Sequence, residues 1–477
     1  MSDPILLRVA LDVPLPREFD YAAPVSLPAG SRVEVPFGPR RLTGIVTGPG
    51  EAGDFTLREA APLADALPPL PADWLALVRF AAEYYAYPFG QALFTALPPA
   101  LREARPFVPH TDPVYRLTPA GRAAPPAGRS IRQRALFDAL QASDLPLSAA
   151  RSLHPQAARQ LADWLAAGRV ETVEHTAPAL QTGPRPALTP EQEAALAALP
   201  EAGFAPALLF GVTGSGKTEL YLRRIEATLA AGRQALVLVP EINLTPQLEA
   251  RFRARFPATP MAILTSHQPD RARSEAWVAA WQGRARLVIG TRLAVFTPLP
   301  ELGLIVVAEE HDASFKQQDG LRYSARDLAV WRAHQASVPV ILGSATPSLE
   351  SWQHAQDGRY RLIELTRRAT GASLPEVRLI DIRRLPLEDG LSPPARQALV
   401  SARQRGEISM VFVNRRGYAP ALACTDCGWI AGCPHCAVKL VLHLRERRLR
   451  CHHCGHNEAI PLACPDCGNP DIKPLGQ

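Results

Sequence analysis

The stretch PALLFGVTGSGKTELYLRRIEATLAAG, residues 206–232, decides the fold. It starts as an apolar run, passes through the octet Gly211-Val-Thr-Gly-Ser-Gly216-Lys217-Thr218, and continues as a helical pattern. The octet matches G-x-x-x-x-G-K-[ST] in the strand-to-helix setting which that motif requires. Gly211, Gly214 and Gly216 free the backbone N–H groups to wrap a phosphate, and a helix N-terminus adds a favourable dipole. Lys217 is then expected at the β/γ-phosphates of ATP and the Thr218 hydroxyl on Mg²⁺. Lys217 is one of only four lysines, with Lys316, Lys439 and Lys473; arginine fills every other basic position. Guanidinium and ammonium are not interchangeable, so a lysine kept here hints that an ammonium is needed.

Working outward, LTPEQEAALAAL reads as a capped helix, and QALVLVP, MAILTS, ARLVIGT, LGLIVVA and VPVILGSAT read as further apolar strands. Continuous apolar strands alternating with helices predict a parallel sheet covered on both faces. Gln192, upstream of the octet, is a candidate reader of the adenine edge, with a plain surface glutamine as the alternative. LIVVA runs into Ala308-Glu309-Glu310-His311, where a nucleotide-driven motor needs one carboxylate to support Mg²⁺ and another to orient water. Gly290-Thr291-Arg292, Gly343-Ser344-Ala345-Thr346 and Pro240-Glu241…Pro246-Gln247 each follow a strand. Their succession after a phosphate loop predicts a helicase-type lobe.

The flanks read differently. Residues 4–47 hold short strand-like runs punctuated by Gly and Pro, a small β-rich domain. PADWLALVRFAAEYYAY follows as a helix, with Trp74, Leu77, Phe80 and Ala81 spaced for a core face. Two or three short helices and the strand-like RVETVE in 130–175 suit a winged helix, and a plain helical bundle fits the same pattern. All eight cysteines lie in CTDC-x₅-CPHC-x₁₄-CHHC-x₉-CPDC. Four CxxC hairpins fit two Zn²⁺ ions with four thiolates each. The candidates are Cys424, Cys427, Cys433, Cys436, Cys451, Cys454, Cys464 and Cys467. Spacing alone leaves three ways to pair the hairpins.

The 477 residues carry 52 Lys+Arg against 46 Asp+Glu, a mild basic excess that suits a polyanion partner without requiring one. No apolar run is long enough for a membrane span, and the N-terminus lacks the pattern of a signal peptide. A soluble, cytoplasmic protein is expected, with its cysteines reserved for metal.

Together these motifs resemble the primosomal replication-restart helicases, the PriA family. The resemblance runs nearly end to end, through VPLPREFDY, RVEVPFG, AAEYYAYPFGQALFTALPP, GVTGSGKTELY, VIGTRLAVFTPL, EEHDASFKQQDGLRYSARDLAVWRA, ILGSATPSLES and FVNRRGYAPALACTDCGW. It implies a multidomain α/β protein: a β-rich domain binding a 3′ DNA end (1–105), a winged helix (106–180), a RecA-like ATP-binding lobe (181–371), the start of a second lobe (372–422) and a double zinc-binding module (423–470). It implies a nucleoid-associated, ATP-driven 3′→5′ helicase at stalled forks, partnered by single-strand-binding protein, primosome components and the replicative helicase. It also implies nested zinc sites, Cys424/Cys427/Cys464/Cys467 and Cys433/Cys436/Cys451/Cys454. By position, Phe19, Asp20, Phe37 and Gly38 fall on the 3′-end pocket, Glu309 on the water-orienting acid, and Tyr323 in an aromatic-rich loop that contacts DNA.

Three departures from the family pattern shape the expectation. Ala308 stands where the family has the Mg²⁺-supporting aspartate. Leu321 stands where the loop tends to carry tryptophan. Gln477 ends the chain after the zinc module, before the remainder of the second lobe with its arginine finger and the C-terminal domain. The expected protein therefore recognises forks and promotes primosome assembly, with weak or absent motor activity. The rival is a fully active helicase in which Glu310 or water replaces the missing acid.

Overall fold

In the computed structural model, the structure describes residues 5–475 apart from 53–56, 66, 110–112, 127–129, 174–179, 242–245, 370–375, 383–384, 389, 413–420, 437 and 445. The chain forms two compact units, Met1–Ser373 and Leu374–Gln477.

The first unit opens with an antiparallel sheet of β1 (Ile5–Leu11), β2 (Phe19–Ala23), β3 (Arg32–Phe37), β4 (Arg40–Pro49) and β5 (Ala61–Pro62), ordered β2-β1-β4-β3-β5. Leu7, Val9, Leu11, Val33, Val35 and Val46 form its core. Helices α1 (Ala72–Tyr84) and α2 (Phe89–Ala96) follow. Trp74, Leu77, Val78, Ala81 and Ala82 recur at helical spacing and bury one face of α1. That face packs into the core of the nucleotide-binding lobe, where the Trp74 indole N–H bonds the Phe296 carbonyl and Phe80 stacks on Trp331 at 4.4 Å. A domain drawn to end at 105 therefore shares its helices with the lobe beyond it.

Next come β6 (Val114–Leu117), α3 (Pro119–Ala123), α4 (Ile131–Ala142), β7 (Leu145–Pro146), α5 (Leu147–Leu153), α6 (Ala157–Ala166) and β8 (Val170–Val173). The small sheet β7-β6-β8 and the helices close on Leu136, Phe137, Leu140, Leu161 and Trp164, the arrangement of a winged helix.

The lobe contains α7 (Pro190–Ala198), β9 (Pro206–Gly211), α8 (Lys217–Ala230), β10 (Gln234–Leu238), α9 (Pro246–Arg255), β11 (Met261–Leu264), α10 (Asp270–Trp281) and β12 (Leu287–Gly290). β13 (Leu302–Ala308), α11 (Ala325–Ala336), β14 (Val340–Ser344), α12 (Leu349–Gln356) and β15 (Arg361–Leu365) complete it. The seven strands are parallel, ordered β11-β12-β10-β13-β14-β9-β15. Alternate residues enter opposite cores: Leu236, Leu238, Ile305 and Val307 on one face, Val237, Val239, Leu304 and Val306 on the other. This is why the strands read as unbroken apolar runs. The order sets β14 between the phosphate-loop strand β9 and the carboxylate strand β13.

The second unit holds α13 (Pro393–Gln404) and a cysteine-rich module. The module pairs β16 (Ala421–Cys424) with β20 (Ile472–Leu475), and stacks β17 (Val441–His443), β18 (Arg448–Arg450) and β19 (Asn457–Ala459) in a second small sheet. Most of the segment expected to open a second lobe, FVNRRGYAPALAC, lies at 413–420, outside the described residues. Among the described residues no helix is long and apolar enough to cross a membrane.

Candidate nucleotide, zinc and DNA sites

The phosphate loop turns on Gly214 (φ 82°) and Gly216 (φ 88°), the latter at the start of α8. A side chain at Gly216 would also strike the Gln192 amide, so this glycine answers two constraints. The Lys217 ammonium folds back to donate to the Gly211 carbonyl at 2.7 Å. Burial holds its pKa below the usual lysine range, opposed by the charge of Glu309. Lys217, Thr218, Tyr221, Gln247, Ala308 and Glu309 line one cleft. Glu219, in the first turn of α8, is excluded from chemistry by a buried ion pair with Arg255 at 2.6 Å.

Gln192 departs from the expectation of an adenine reader. It is buried; its Oε1 accepts from the Thr189 N–H at 2.9 Å, and its Nε2 donates to the Ser215 carbonyl at 2.8 Å. The amide is occupied as a brace between the capped start of α7 and the phosphate loop.

At the end of β13, Ala308 sits beside Gly343 of β14. Glu309 follows at φ 52°, a left-handed conformation that a non-glycine residue adopts at a cost. Glu309 lies 3.8 Å from the His311 Nδ1, and that nitrogen meets the Ser344 hydroxyl at 2.7 Å. The carboxylate loop is thereby tied to the Gly343–Thr346 loop. Glu310 is removed from the cleft. It is fully buried and accepts from the Ser348 N–H (2.8 Å), the Ser348 and Ser351 hydroxyls (2.9 and 2.8 Å) and Arg326 (3.3 Å). Glu310 therefore braces the start of α12 and holds the half-buried Arg326 guanidinium. The donor set for Mg²⁺ is correspondingly incomplete: Thr218 and Glu309 line the cleft, while Ala308 offers no ligand atom.

Tyr221 is a cleft residue that motif reading missed. Its ring is buried and its hydroxyl has no partner, packed where a side chain on Gly343 would stand. Burial pushes its pKa up, reinforced by Glu309. Tyr221→Phe removes an unsatisfied buried hydroxyl. It is expected to stabilise the nucleotide-free protein by about 1 kcal/mol, read as a higher melting temperature.

In the second unit the sulfurs gather as Cys424/Cys427/Cys464/Cys467 and Cys433/Cys436/Cys451/Cys454, each set within 4.8 Å. Sulfur pairs stand 3.6 and 3.5 Å apart in the first set and 3.4 Å in the second. A tetrahedron with Zn–S of about 2.3 Å has an edge of roughly 3.8 Å, so both sets fit zinc in size and chemistry. Three hairpins close through a left-handed glycine, Gly428, Gly455 and Gly468, each donating to the carbonyl of the first cysteine of its hairpin. Backbone N–H groups of Cys427 and Asp426 pull Cys424 down to about 7, and those of Cys454 and His453 pull Cys451 down to about 6. Both shifts favour the thiolate that binds metal.

In the N-terminal sheet, Phe19 and Phe37 meet edge to face at 5.3 Å beside Asp20 and Gly38, around a cleft that also takes Arg17 and Arg58. Arg17 lies over the Phe19 ring at 5.2 Å, and Arg58 donates to the Gly38 carbonyl at 3.2 Å. Reading from the motifs alone overlooked both arginines; Arg17 was within reach, two residues before Phe19 in the stretch VPLPREFDY. Tyr323 departs from its expected DNA contact. The loop after the carboxylates folds back on itself, with the Gln317 N–H on the Tyr323 carbonyl, and buries Tyr323 completely against Phe296. Leu321 is buried as well, so neither presents a face to a base.

A parallel lobe with a phosphate loop in one unit and two cysteine clusters in the other define the class: a P-loop protein with a zinc-ribbon module. Family models match in the same places: "3'DNA-binding domain (3'BD)" at residues 8–98, "DEAD/DEAH box helicase" at 189–354, and "PriA DNA helicase Cys-rich region (CRR) domain" at 433–458. The replication restart protein PriA of Haemophilus influenzae is 40% identical over 99% of this chain and 67% of its own length. That of Treponema pallidum is 32% identical over 98% of this chain and 63% of its own length. That of Bacillus subtilis is 43% identical over 56% of this chain and 34% of its own. The chain belongs to the PriA family of replication restart proteins, and spans about two thirds of the length of the first of these relatives.

Proposed function

We propose that this protein recognises stalled or branched DNA forks and promotes primosome assembly and reloading of the replicative helicase, with a nucleotide-binding lobe that turns over slowly. The Phe19–Phe37 cleft takes the 3′ end of a nascent strand. Lys217 and the loop glycines hold the triphosphate, Thr218 ligates Mg²⁺, and Glu309 orients the attacking water. Zn²⁺ at the two cysteine sets supplies folding energy to the module rather than chemistry. Single-strand-binding protein, primosome components and the replicative helicase are the protein partners, met at the nucleoid.

One observation carries the slow turnover: Ala308 has no carboxylate, and Glu310, its nearest substitute, is bound to Ser348, Ser351 and Arg326. Without a firm second support for the metal, phosphoryl transfer loses part of its electrostatic stabilisation. Phosphate release with and without forked DNA tests this. Slow release that DNA barely stimulates is expected, together with fork binding that weakens when the 3′ end is blocked by a phosphate. Ala308→Asp is expected to raise release by roughly tenfold or more, the equivalent of about 1.4 kcal/mol in the barrier. Brisk DNA-dependent release by the unaltered chain would instead establish an active motor.

A further inference from the structure

Helix α9 carries three arginines, and they meet different fates. Arg253 pairs with Glu249, one turn earlier, at 2.7 Å. Arg255 is buried against Glu219 at 2.6 Å. Arg251 is exposed and, among the described residues, makes no hydrogen bond, ion pair or ring contact. Its direction follows from the helix. α9 buries Phe252 and Arg255, and Phe252 joins the core that holds Leu220 and Val237. Gln247 and Arg251, four residues apart and so on one face, then line the nucleotide cleft with Lys217, Thr218 and Glu309.

A cation at that wall has work to do. On the nucleotide reading, Thr218 and Glu309 mark the end of the cleft where metal, terminal phosphate and attacking water come together. Lys217 is the one ammonium lining the cleft, and Ala308 contributes no carboxylate to hold the metal. Glu309 is the one acid lining it among the described residues, and Arg251 is not paired with it. The guanidinium is therefore uncommitted in the nucleotide-free chain. Its planar fork suits two phosphate oxygens at once, which a lysine in its place would meet only as a point charge.

We propose that Arg251 is a phosphate-binding residue of this cleft, and that its guanidinium takes the terminal phosphate of a bound nucleoside triphosphate. The charge comes from a helix of the lobe itself. It offsets the phosphate charge that a metal beside Ala308 is poorly placed to neutralise. Two consequences follow from the chemistry. The cleft prefers a triphosphate to a diphosphate, because only the triphosphate reaches Arg251. That preference persists when Mg²⁺ is withheld, because a side chain carries it. The inference rests on the reading of the cleft as a nucleotide site.

The test titrates the full chain with ATP and with ADP, read by displacement of a fluorescently labelled ADP, in magnesium-free buffer and again with Mg²⁺. The parent is expected to bind ATP more tightly than ADP in both buffers. Arg251→Gln is expected to weaken ATP binding about tenfold, the loss of one charge-assisted contact, and to leave ADP binding within about twofold. Arg251→Lys should recover part of the loss. Arg251 is exposed, so both variants should melt as the parent does. Modification of the unaltered protein with phenylglyoxal needs no variant: ATP is expected to protect Arg251, read by peptide mass, and ADP is not. Four results overturn the role of Arg251 while leaving the nucleotide site standing. They are a parent with no preference for ATP, an Arg251→Gln variant that binds ATP as the parent does, one that loses ATP and ADP alike, and an Arg251 equally reactive with and without ATP. A parent that binds neither nucleotide overturns both readings.

Discussion

Stripping zinc from the purified chain is expected to unfold the module around residues 421–475 while the first unit keeps its fold. The buried apolar set there is small: Leu422, Ala431, Leu440, Leu442, Leu449 and Cys451. A core of that size supports little stability on its own. Structural zinc contributes about 10–16 kcal/mol of apparent binding free energy to small metallo-domains, far more than such a core. Metal analysis should give about two zinc ions per chain. Chelation should then render the module sensitive to protease, with lobe fragments persisting. The two sets also differ in how they report. Cys451→Ser removes a ligand that is fully buried and that accepts the N–H groups of His453 and Cys454. It should cost one zinc and disorder the β17–β18–β19 sheet. Cys467→Ser removes an exposed ligand and should cost the other, loosening the β16–β20 pair. Retention of both metals in either variant would contradict the role of that cysteine as a ligand, and loss of order in the other sheet instead would contradict the nested grouping.

The same contrast, local chemistry against long-range packing, explains what could be read from the sequence. The phosphate loop and the cysteine hairpins were legible because their function is written within a few residues: φ > 0 glycines, one lysine, sulfurs at fixed spacing. Six of the seven strands were legible because a sheet buried on both faces leaves continuous apolar runs; the edge strand β15, with exposed Arg361 and Glu364, carries no such run and was missed. The destinations of Gln192, Glu310 and Tyr323 were not legible. Each is decided by a partner far away in sequence: Ser215, Ser348 and Ser351, and Phe296. Motif position says that a polar or aromatic residue is present, and not whether its polar atoms remain free. The sharing of α1 between the N-terminal domain and the lobe was hidden for the same reason. A stripe at helical spacing states that a helix has a buried face, without stating what covers it.

Glu310→Ala is expected to destabilise the lobe by about 1–3 kcal/mol, because it strips the half-buried Arg326 guanidinium of one of its three carboxylates and leaves the Ser348 N–H and two serine hydroxyls without their acceptor. Arg326 bridges Glu310 to Asp327 and Glu350, and the Ser348 N–H opens α12. A melting temperature lower by something on the order of 5 °C is the corresponding reading. Glu310→Gln keeps one acceptor oxygen for the Ser348 N–H or for the Ser348 and Ser351 hydroxyls but loses the charge facing Arg326, so its loss should be intermediate. The pair of variants also decides a question of chemistry. If Glu310 served the metal in place of Ala308, Glu310→Gln would abolish phosphate release and leave stability nearly untouched. If the carboxylate is a fastening, as its four bonds indicate, Glu310→Gln should lower the melting temperature and leave residual release per folded molecule within about twofold, since neither state supplies a metal ligand. Combining it with Ala308→Asp sharpens the separation. The two side chains then act on different quantities, metal support and helix anchoring, so the gain from the aspartate should survive the loss of the glutamate charge at temperatures where the double variant remains folded.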